Sequence, residues 1–456
     1  MAAVTFLGAV GSVTGSKFLL ESETGSVLVD CGLYQGPKDL RKRNWDELPL
    51  DLESLDSVVV THAHVDHIGY TPRLVGTGFS GPIHATTNTV NLARIILPDS
   101  GHIHEEEAKF ANKRGYSKHH PALPLYTEAD ARKMLPQFQN HEFGEPFEAA
   151  PGIQCSFRRA GHILGSASVL AEFDDGKRVV VSGDLGPGDH PLLLPAEPLP
   201  ECDVVLCEST YGNRPRPDLD VTARLGDYVE DTISRGGVVL IPAFAVDRTE
   251  IVLWHLAQLQ RSGRIPRVPV YLDSPMASAA LAVYREAARS GAGDLRDSVS
   301  KELMFEPLEV RESRTVEDSK ALNRMRGPLI IISASGMATG GRILHHLASR
   351  LGSSRNSVIL VGFQAPGTRG RALADGAQSL KFFGSYHPVR ASVHEIGLSA
   401  HADQNELVNW LQSGPTSDHT VFTVHGEEDA SASLAAAADA AGLFAVQPRM
   451  GERILV

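Results

Sequence analysis

One short segment of the chain concentrates four side chains of types that bind metal ions. Three consecutive valines at 58–60 predict a buried strand, and the chain runs from it directly into His62, His64, Asp66 and His67. Imidazole nitrogens and carboxylate oxygens are ligands that Zn²⁺ prefers. A polar loop that happens to be rich in histidine is the alternative, but four such groups at a strand end make poor core material. The segment therefore predicts a metal site.

Length and composition are those of an ordinary globular protein. The 456 residues suffice for two or three domains, and 42% of them are hydrophobic and 21% charged. The first residues lack the basic segment of a signal peptide, and no apolar run approaches the roughly 20 residues that span a bilayer. Four scattered cysteines are too few for a disulfide framework. We therefore expect a cytoplasmic protein that has no membrane partner.

The formal net charge of −12 limits how the chain can meet nucleic acid. A strongly acidic chain does not adhere to phosphate backbones through its overall field. The charge still allows a basic groove at one place on the surface.

Further ligand-type residues follow other strand-like runs. A solvated turn residue is the simpler explanation for any one of them taken alone, above all for the aspartate after Leu28-Val29. Their repetition predicts a sandwich of sheets that presents one site along a rim. These residues are Asp30, His162, Asp184, Glu208, His401 and His425.

The pattern changes after Gly212, where aliphatic strands alternate with helices. Such alternation predicts a parallel sheet and hence a separate α/β domain. The charged interval 290–326 is expected to be a surface excursion. From Ser392 the chain returns to short strands, so we infer that the α/β domain is inserted into the first. The predicted domain boundaries are 1–208, 209–392 and 393–456.

Thr61-His-Ala-His-Val-Asp-His67, together with His162 and Asp184, resembles the metal-binding pattern of the metallo-β-lactamase hydrolase fold. The resemblance extends over the whole chain and is most specific for the β-CASP branch of that superfamily, which comprises nucleases. It implies an α/β fold, namely a four-layer αβ/βα sandwich with an inserted β-CASP domain that contains a mostly parallel sheet. The segments similar to that branch are Glu208-Ser-Thr-Tyr-Gly, Ile241-Pro-Ala-Phe-Ala, Asp273-Ser-Pro-Met-Ala, Ser399-Ala-His-Ala-Asp and Val424-His-Gly-Glu.

The resemblance also implies two Zn²⁺ ions per chain. The two oxygens of one carboxylate can each hold a cation, and two metals about 3.5–4 Å apart can share a water and clamp a phosphodiester. Asp30 is expected behind these ligands, where it orients a histidine or the shared water. One ion would take His62, His64 and His162, the other Asp66, His67 and His425, and Asp184 would bridge them.

The catalytic residues that the resemblance implies are Asp66, Asp184, Glu208 and His401. A carboxylate beside an imidazole favours the protonated ring. His401 is then expected to be the general acid for the leaving oxygen, with Glu208 positioning it. A buried structural ion pair between Glu208 and His401 is the alternative.

Substrate binding is predicted in the inserted domain. The glycine-rich run 333–341 lies between a predicted strand and helix and could direct backbone N–H groups at a phosphate, although a tight turn explains it equally well. Arg342 and Arg371 are further candidates for a local basic groove. The predicted substrate-binding residues are Arg248, Ser274, Ser335, Gly336 and Arg369.

A metal-dependent ribonuclease is the function predicted first. The resemblance favours RNA because RNA-processing members carry a histidine where this chain has His425, whereas DNA-repair members carry an aliphatic residue. Expected are single-stranded RNA as partner, 5′-phosphate and 3′-hydroxyl ends, and a role in RNA processing or decay. The chain resembles compact bacterial homologues of the mRNA 3′-end cleavage nuclease and is related to ribonuclease J. Endonuclease or 5′-exonuclease mode and a homodimer stay open.

Three alternatives differ in substrate or in class. A DNA-directed nuclease of the same branch is the nearest. A small-molecule hydrolase would not need the inserted domain. A catalytically inactive scaffold is disfavoured because all seven expected ligands are present, as are Glu208 and His401.

Overall fold

A computed structural model describes residues 1–115, 117, 119–216, 220–299, 305–415 and 418–456. The chain forms two compact units, Met1–Pro215 with His401–Val456, and Arg216–Ala400. The domain boundaries after residues 208 and 392 stay a prediction. All four cysteines are buried free thiols, and none of the described helices is long and apolar enough to cross a membrane.

The first unit begins with two groups of strands separated by helices. Its first elements are β1 (Ala3–Phe6), β2 (Phe18–Glu21), β3 (Ser26–Val29), α1 (Lys38–Lys42), β4 (Ser57–Val59), α2 (Val65–Ile68), α3 (Thr71–Gly76), β5 (Ile83–Thr86), α4 (Thr87–Arg114), α5 (Glu128–Met134), β6 (Phe138–His141), β7 (Phe147–Ala150), β8 (Ile153–Arg159), β9 (Ala167–Phe173), β10 (Arg178–Val181) and β11 (Val204–Glu208).

The second unit follows, and the chain then returns to the first. The second unit contains α6 (Val221–Ser234), β12 (Val238–Pro242), α7 (Arg248–Arg261), β13 (Val270–Leu272), α8 (Pro275–Ser290), β14 (Val310–Glu312), α9 (Val316–Leu322), β15 (Leu329–Ser333), α10 (Ile343–Arg350), β16 (Ser357–Val361), α11 (Arg369–Ala374), β17 (Ser379–Phe382), β18 (Ser385–Pro388) and β19 (Ser392–Ile396). The first unit is completed by α12 (Gln404–Leu411), β20 (Thr420–Val424), α13 (Glu428–Ala440), β21 (Phe444–Val446) and β22 (Arg453–Leu455).

Two mixed sheets form the centre of the first unit. Across the described residues their orders are β22-β1-β2-β3-β4-β5-β6 and β21-β20-β11-β10-β9-β8-β7. Strands β3 to β6 are parallel, as are β10, β11, β20 and β21, while the remaining pairs are antiparallel. The carboxyl ends of the parallel strands therefore gather at one edge of each sheet.

Alternation along the buried strands explains why the first unit has four layers. In β11, Val204 and Leu206 face the core between the two sheets, whereas Val205 and Cys207 face α12 and α13. Helices α2 to α5 cover the outer face of the other sheet in the same way. Strands with both faces buried must be aliphatic throughout, as these are. The predicted four-layer αβ/βα sandwich is confirmed.

The second unit has a parallel sheet of order β14-β13-β15-β12-β16-β19 among its described residues. The predicted mostly parallel sheet is thus confirmed. The prediction of a surface excursion over 290–326 was wrong in part. Strand β14 extends the edge of the sheet, and α9 begins at a capping box of Thr315 and Asp318. Both elements are too short to show a hydrophobic period, and residues 300–304 lie outside the described part.

Candidate metal centre

Most site residues of the first unit lie at the carboxyl ends of parallel strands; His162, after the antiparallel β8, and His401, just before α12, are the exceptions. Asp30 directly follows β3 and His425 directly follows β20, while Glu208 is the last residue of β11. His62 and Asp184 each come three residues after the end of β4 and β10. Strands β3 and β4 are neighbours in one sheet, and β10, β11 and β20 are neighbours in the other. The topology thus brings residues that are distant in sequence to a common rim.

Three imidazoles and one carboxylate form a first cluster. Nδ1 of His64 lies 3.1 Å from Nε2 of His62 and 3.1 Å from Nε2 of His162. Oδ2 of Asp184 lies 3.4 Å from Nε2 of His62 and 3.5 Å from Nε2 of His162. Ligand atoms on a tetrahedron with zinc bonds of roughly 2.0–2.2 Å are separated by about 3.3–3.6 Å. The two distances to Asp184 fall in this range and the two between ring nitrogens are slightly shorter, so the four atoms have the chemistry of a zinc site and a spacing close to that of a tetrahedral one.

A second cluster faces the other oxygen of the same carboxylate. Nε2 of His425 lies 3.0 Å from Nε2 of His67 and 3.6 Å from Oδ2 of Asp66. Oδ1 of Asp184 lies 3.3 Å from Nε2 of His67 and 3.4 Å from Nδ1 of His425. This oxygen is buried and accepts no hydrogen bond of ordinary geometry from any described residue. A buried carboxylate oxygen surrounded by ligand atoms fits a cation better than it fits a closed hydrogen-bond network.

The electrostatics of the first cluster favour the protonation states that metal binding needs. Burial lowers the pKa of His64 to about 3, and the charge of His62 adds to the effect. Burial likewise lowers the pKa of His62 and of His162. Burial alone would raise the pKa of Asp184, but the neighbouring charges of His425 and His67 hold it well below its usual range. Neutral imidazoles and an ionised carboxylate are the forms that coordinate zinc.

In the second cluster, the surrounding charges shift the pKa of His67 and that of Asp66 in opposite directions. Burial opposes protonation of His67, but Asp184 and Asp30 raise its pKa well above the ordinary value. Burial would raise the pKa of Asp66, yet its hydrogen bond with His425 and the charge of His67 lower it. A metal ion here would displace the proton of His67 and compensate the same carboxylates.

Asp30 supports the centre from behind. Its carboxylate accepts hydrogen bonds from the backbone N–H of Thr61 at 2.8 Å, from Ser16 Oγ at 3.2 Å and from Nδ1 of His67 at 2.7 Å. The bond to His67 fixes that ring so that Nε2 points into the second cluster. Of the two supporting roles expected from the sequence, Asp30 thus has the histidine as its partner.

Glu208 and His401 lie at the border of the first cluster. Oε1 of Glu208 is 3.2 Å from Nδ1 of His401 and accepts the backbone N–H of Leu185 at 2.7 Å. Nδ1 of His401 is also 3.9 Å from Oδ2 of Asp184. Glu208 is completely buried, whereas 19% of the His401 side chain is exposed. His401 is therefore in reach of solvent while its partner holds it at the metal centre.

Two threonines of the site were missed by the sequence reasoning. The Oγ1 atom of Thr61 lies 3.1 Å from Nδ1 of His62, and Oγ1 of Thr210 lies 3.2 Å from Nδ1 of His425. Each thus orients a ring whose other nitrogen faces a cluster. Their position inside the Thr61–His67 and Glu208–Gly212 motifs is the available signal, but a threonine hydroxyl is not a typical zinc ligand, so its residue type does not mark it.

The buried Lys17 stabilises the turn that follows β3, next to the second cluster. Nζ of Lys17 donates to the carbonyl of Gly32 and lies 4.8 Å and 4.9 Å from the ring centroids of Tyr34 and Tyr70. Gly32 is required because an added Cβ would lie 1.5 Å from the carbonyl oxygen of Asp66. Burial lowers the pKa of Lys17 to about 8 against the opposing charges of Cys31 and Asp30.

The predicted substrate-binding residues belong to the second unit. Oγ of Ser335 accepts the backbone N–H groups of Thr339 and Gly340, and so folds the glycine-rich loop. Gly336 packs against Phe244, where an added Cβ would come within 2.9 Å of the ring. Ser274 caps the first turn of α8 and Arg248 begins α7.

The arginines proposed for a basic groove have internal partners. Arg342 is paired with the buried Asp273 at 2.8 Å, and Arg371 with Asp375 at 2.9 Å. The guanidinium of Arg369 donates to the backbone carbonyl of Lys381 at 3.1 Å. The role of these residues in substrate binding stays a prediction.

Comparisons with known proteins agree with this architecture. Three family models match in succession: the metallo-beta-lactamase superfamily over residues 12–234, the Beta-Casp domain over 249–373, and the Zn-dependent metallo-hydrolase RNA specificity domain over 386–448. Ribonuclease TTHA0252 of Thermus thermophilus is 37% identical over 92% of this chain and 92% of its own length. The chain belongs to the β-CASP branch of the metallo-β-lactamase superfamily. The predicted family and enzyme class, a metal-dependent hydrolase, are confirmed.

Two further relatives and one solved structure are similar over most of this chain. The RNase J-like protein of Methanocaldococcus jannaschii is 31% identical over 95% of both chains. The transcription termination factor FttA of Methanosarcina mazei is 32% identical over 95% of this chain and 68% of its own. A crystal structure of a protein of unknown function from Enterococcus faecalis has a TM-score of 0.55 at 12% identity, with full coverage of both chains, and supports the fold alone.

Asp30→Asn should weaken zinc binding without unfolding the chain. Asparagine tolerates the positive φ of 60° at this position, but it cannot hold His67 as a carboxylate does. Loss of such a supporting partner costs about 10- to 100-fold in metal affinity. Competition with a chromogenic chelator measures the change, with the exposed Asp39→Asn as control. Equal affinities of the two variants would contradict the supporting role of Asp30.

The buried Lys17 should make stability rise with pH in the alkaline range. Below pH 8 the folded and unfolded chains both hold the proton, and the cost of burying the charge applies in full. Between pH 8 and about 10.4 the folded chain releases the proton first, so folding gains stability. The difference in melting temperature between wild type and Lys17→Met, with chelator present, should shift in favour of wild type over this range. A difference that stays constant with pH would refute this.

Proposed function

We propose that the chain is a zinc-dependent ribonuclease with two Zn²⁺ ions per chain. The observation that carries this proposal is the Asp184 carboxylate, whose two oxygens face two separate clusters of ligand atoms. His62, His64 and His162 would hold one ion, Asp66, His67 and His425 the other, and Asp184 both. When bound, the two ions supply Lewis-acid chemistry that activates water and stabilises charge on a phosphodiester.

The match to a Zn-dependent metallo-hydrolase domain over residues 386–448 supports zinc as the metal. Nitrogen and carboxylate donors with roughly tetrahedral spacing support the same ion. That segment contains both His401 and His425, so one part of the chain supplies a proposed metal ligand and the proposed general acid.

The chain's own proton donor in this proposal is His401. Its Nδ1 faces the buried Glu208, so Nε2 is the atom assigned to donate a proton to the leaving 3′-oxygen. Glu208 is a positioning residue, because its carboxylate is itself fixed by the backbone N–H groups of Leu185 and Thr210. Protonation of the leaving oxygen yields a 3′-hydroxyl, and the attacking water remains on phosphorus as part of a 5′-phosphate.

RNA is proposed as substrate on the strength of the relatives. Ribonuclease TTHA0252 and the RNase J-like protein carry that activity in their names, and the third matched family model is an RNA specificity domain. A DNA-directed nuclease shares the same centre and is the alternative that the first experiment separates. Single-stranded substrate and a role in RNA processing or decay belong to the proposal.

The purified protein should cleave single-stranded RNA in a chelator-sensitive way. Parallel digests of 5′-labelled RNA, 3′-labelled RNA and a DNA of matched sequence distinguish the substrate and the mode of attack. RNA fragments with 5′-phosphate ends are expected, and zinc should restore activity after chelation. Cleavage that persists in chelator would contradict the two-ion mechanism. Preferential cleavage of the DNA would show that DNA, not RNA, is the substrate.

Substitution of the two late histidines should separate metal binding from proton donation. His401→Ala should keep its zinc and lose about 10²- to 10⁴-fold in RNA cleavage, the range for a lost general acid. His425→Ala should lose zinc, measured by elemental analysis, while the exposed His119→Ala should change neither quantity.

A substrate that needs no protonated leaving group gives the sharper test of His401. Bis(p-nitrophenyl) phosphate releases a stable phenolate, so His401→Ala should impair its hydrolysis much less than it impairs RNA cleavage. Equal losses on both substrates, or loss of zinc in this variant, would contradict the role of His401 as general acid.

A further inference from the structure

The second unit contains a long segment whose charge is opposite to that of the whole chain. Residues 319–394 contain ten Lys or Arg and one acidic residue, Asp375, although the chain as a whole has 43 basic and 55 acidic residues. The β17–β18 hairpin and helix α10 both lie in this segment. Basic charge on an otherwise acidic chain is thus concentrated in the second unit.

Two aromatic side chains project from the hairpin into solvent. Tyr386 is 72% exposed and Phe383, at the turn, is 65% exposed. Lys381 is the cross-strand partner of Tyr386, and its Nζ lies 5.8 Å from the centroid of that ring. The imidazole of His345 from α10 is stacked on Phe383 with centroids 4.5 Å apart. The side chains Lys381, Phe383, Tyr386 and His345 form what we call the hairpin face.

The turn of the hairpin adopts a conformation that its first residue disfavours. Phe383 and Gly384 have φ values of 49° and 92°, the positive pair that a two-residue type I′ turn requires. Asparagine or glycine is preferred at the first position, and a bulky side chain there is strained. Phe383 therefore adds strain and exposed apolar surface without contributing to the core. Such a residue points to a use outside the stability of the fold.

The hairpin is fixed from behind, so its face is rigid. Phe382 and Leu380 alternate with the exposed residues and are buried in the core of the second unit. Arg369 ties the hairpin to the glycine-rich loop, since it donates to the carbonyls of Lys381 at 3.1 Å and Ala338 at 3.4 Å. The hairpin face and the predicted phosphate-binding loop are therefore connected through one guanidinium.

We propose that the hairpin face is a stacking platform for bases of single-stranded RNA. Exposed aromatic rings accept bases of any sequence, and neighbouring cations bind the phosphates that link them. Lys381 in the hairpin and Arg390, two residues beyond its second strand, are both exposed, and among the described residues neither forms an ion pair, so both charges can meet a phosphate backbone. The platform rests on the proposed ribonuclease function and adds to it a binding surface for the bases of the single-stranded substrate.

A second copy of the chain fits the same surface less well. Two hairpin faces that meet across a two-fold axis would oppose lysine to lysine, without an acidic residue between 376 and 394 to compensate. Single-stranded RNA complements the surface better, because its phosphates are attracted to the lysine and its flat bases stack on the aromatic rings.

Variants of the hairpin face separate binding from folding. Phe383→Asn removes the ring and suits the turn, so its melting temperature should equal or exceed that of wild type. Tyr386→Leu keeps an apolar side chain but loses the aromatic face. Phe444→Ala in the first unit is the matched control, because Phe444 is 66% exposed yet lies outside the hairpin. Lys381→Gln tests the phosphate contact through the salt dependence of binding.

Two measurements test the platform. Anisotropy of a labelled 20-nucleotide RNA gives affinity with the zinc-loaded His401→Ala protein, and so needs no cleavage. Phe383→Asn and Tyr386→Leu should each weaken binding about fivefold or more, the lower end for one lost stack. Lys381→Gln should reduce the salt slope by about one. In the otherwise wild-type enzyme, the hairpin variants should lower kcat/KM for the 20-mer and leave hydrolysis of bis(p-nitrophenyl) phosphate unchanged.

The outcomes distinguish this proposal from the proposed function. Wild-type affinity in both aromatic variants, or an equal loss in Phe444→Ala, would overturn the platform. The platform would also be overturned if the wild-type protein were a dimer and these substitutions dissociated it without changing RNA affinity. That result would assign the surface to a second copy of the chain. If the chain bound RNA through the hairpin face but cleaved no RNA, the proposed ribonuclease function would be contradicted and the proposed platform would stand.

Discussion

The burial of Asp184 among histidines is the constraint on which the first unit depends. The negative charge of a fully buried carboxylate needs a positive charge nearby. The surrounding imidazoles supply little of it, because burial lowers the pKa of three of them. One protonated His67 between Asp184 and Asp30 is a partial solution. In the proposed two-ion centre, cations on either side of Asp184 would compensate all the carboxylates at once, and ring nitrogens that lie 3.0–3.1 Å apart would become ligands of the same ion. Metal binding would thus explain how the sandwich can bury so many ionisable side chains together.

The residues that the structure gathers into the two clusters could be named from the sequence, because each follows a recognisable aliphatic strand or lies in a glycine-flanked loop, while their division between two ions was implied by the resemblance and stays a prediction. Parallel strands place such residues on one edge, so local patterns were sufficient to imply a common site. The supporting contacts were less visible. Thr61, Thr210 and Lys17 have no metal-binding chemistry, and only the fold shows that they orient rings or close a loop.

In the second unit, long aliphatic strands were recognisable, whereas short elements were not. Strand β14 has three residues and gains its stability from the neighbouring β13 rather than from its own pattern. The β17–β18 hairpin was missed because its turn begins with phenylalanine instead of asparagine or glycine. The failure of a local rule at this turn coincides with the surface proposed to bind RNA, as expected where function overrides local preference.

Strained backbone conformations also occur mainly at the candidate functional sites. Ala9 adopts a positive φ beside the metal centre and accepts the backbone N–H of His425 at 2.7 Å. Each such residue costs on the order of 1–3 kcal/mol, which the surrounding core must offset. Five of the six lie in the metal centre, the glycine-rich loop or the hairpin. The described non-glycine residues with positive φ are Ala9, Asp30, Asp247, Ala338, Phe383 and His425.

The overall charge of the chain gives the hairpin face a selective role. An acidic protein repels polyanions at long range, so phosphate contacts alone would bind weakly and would fail as salt increases. Stacking on aromatic rings is less sensitive to salt, but it is available only to bases that are not already stacked and paired. A duplex would be repelled by the acidic chain and could not stack its paired bases on the hairpin face. A single strand would be repelled in the same way, but stacking of its bases would offset the repulsion. If the hairpin face binds RNA as proposed, an acidic chain with this one aromatic surface would select unpaired RNA without reading any base.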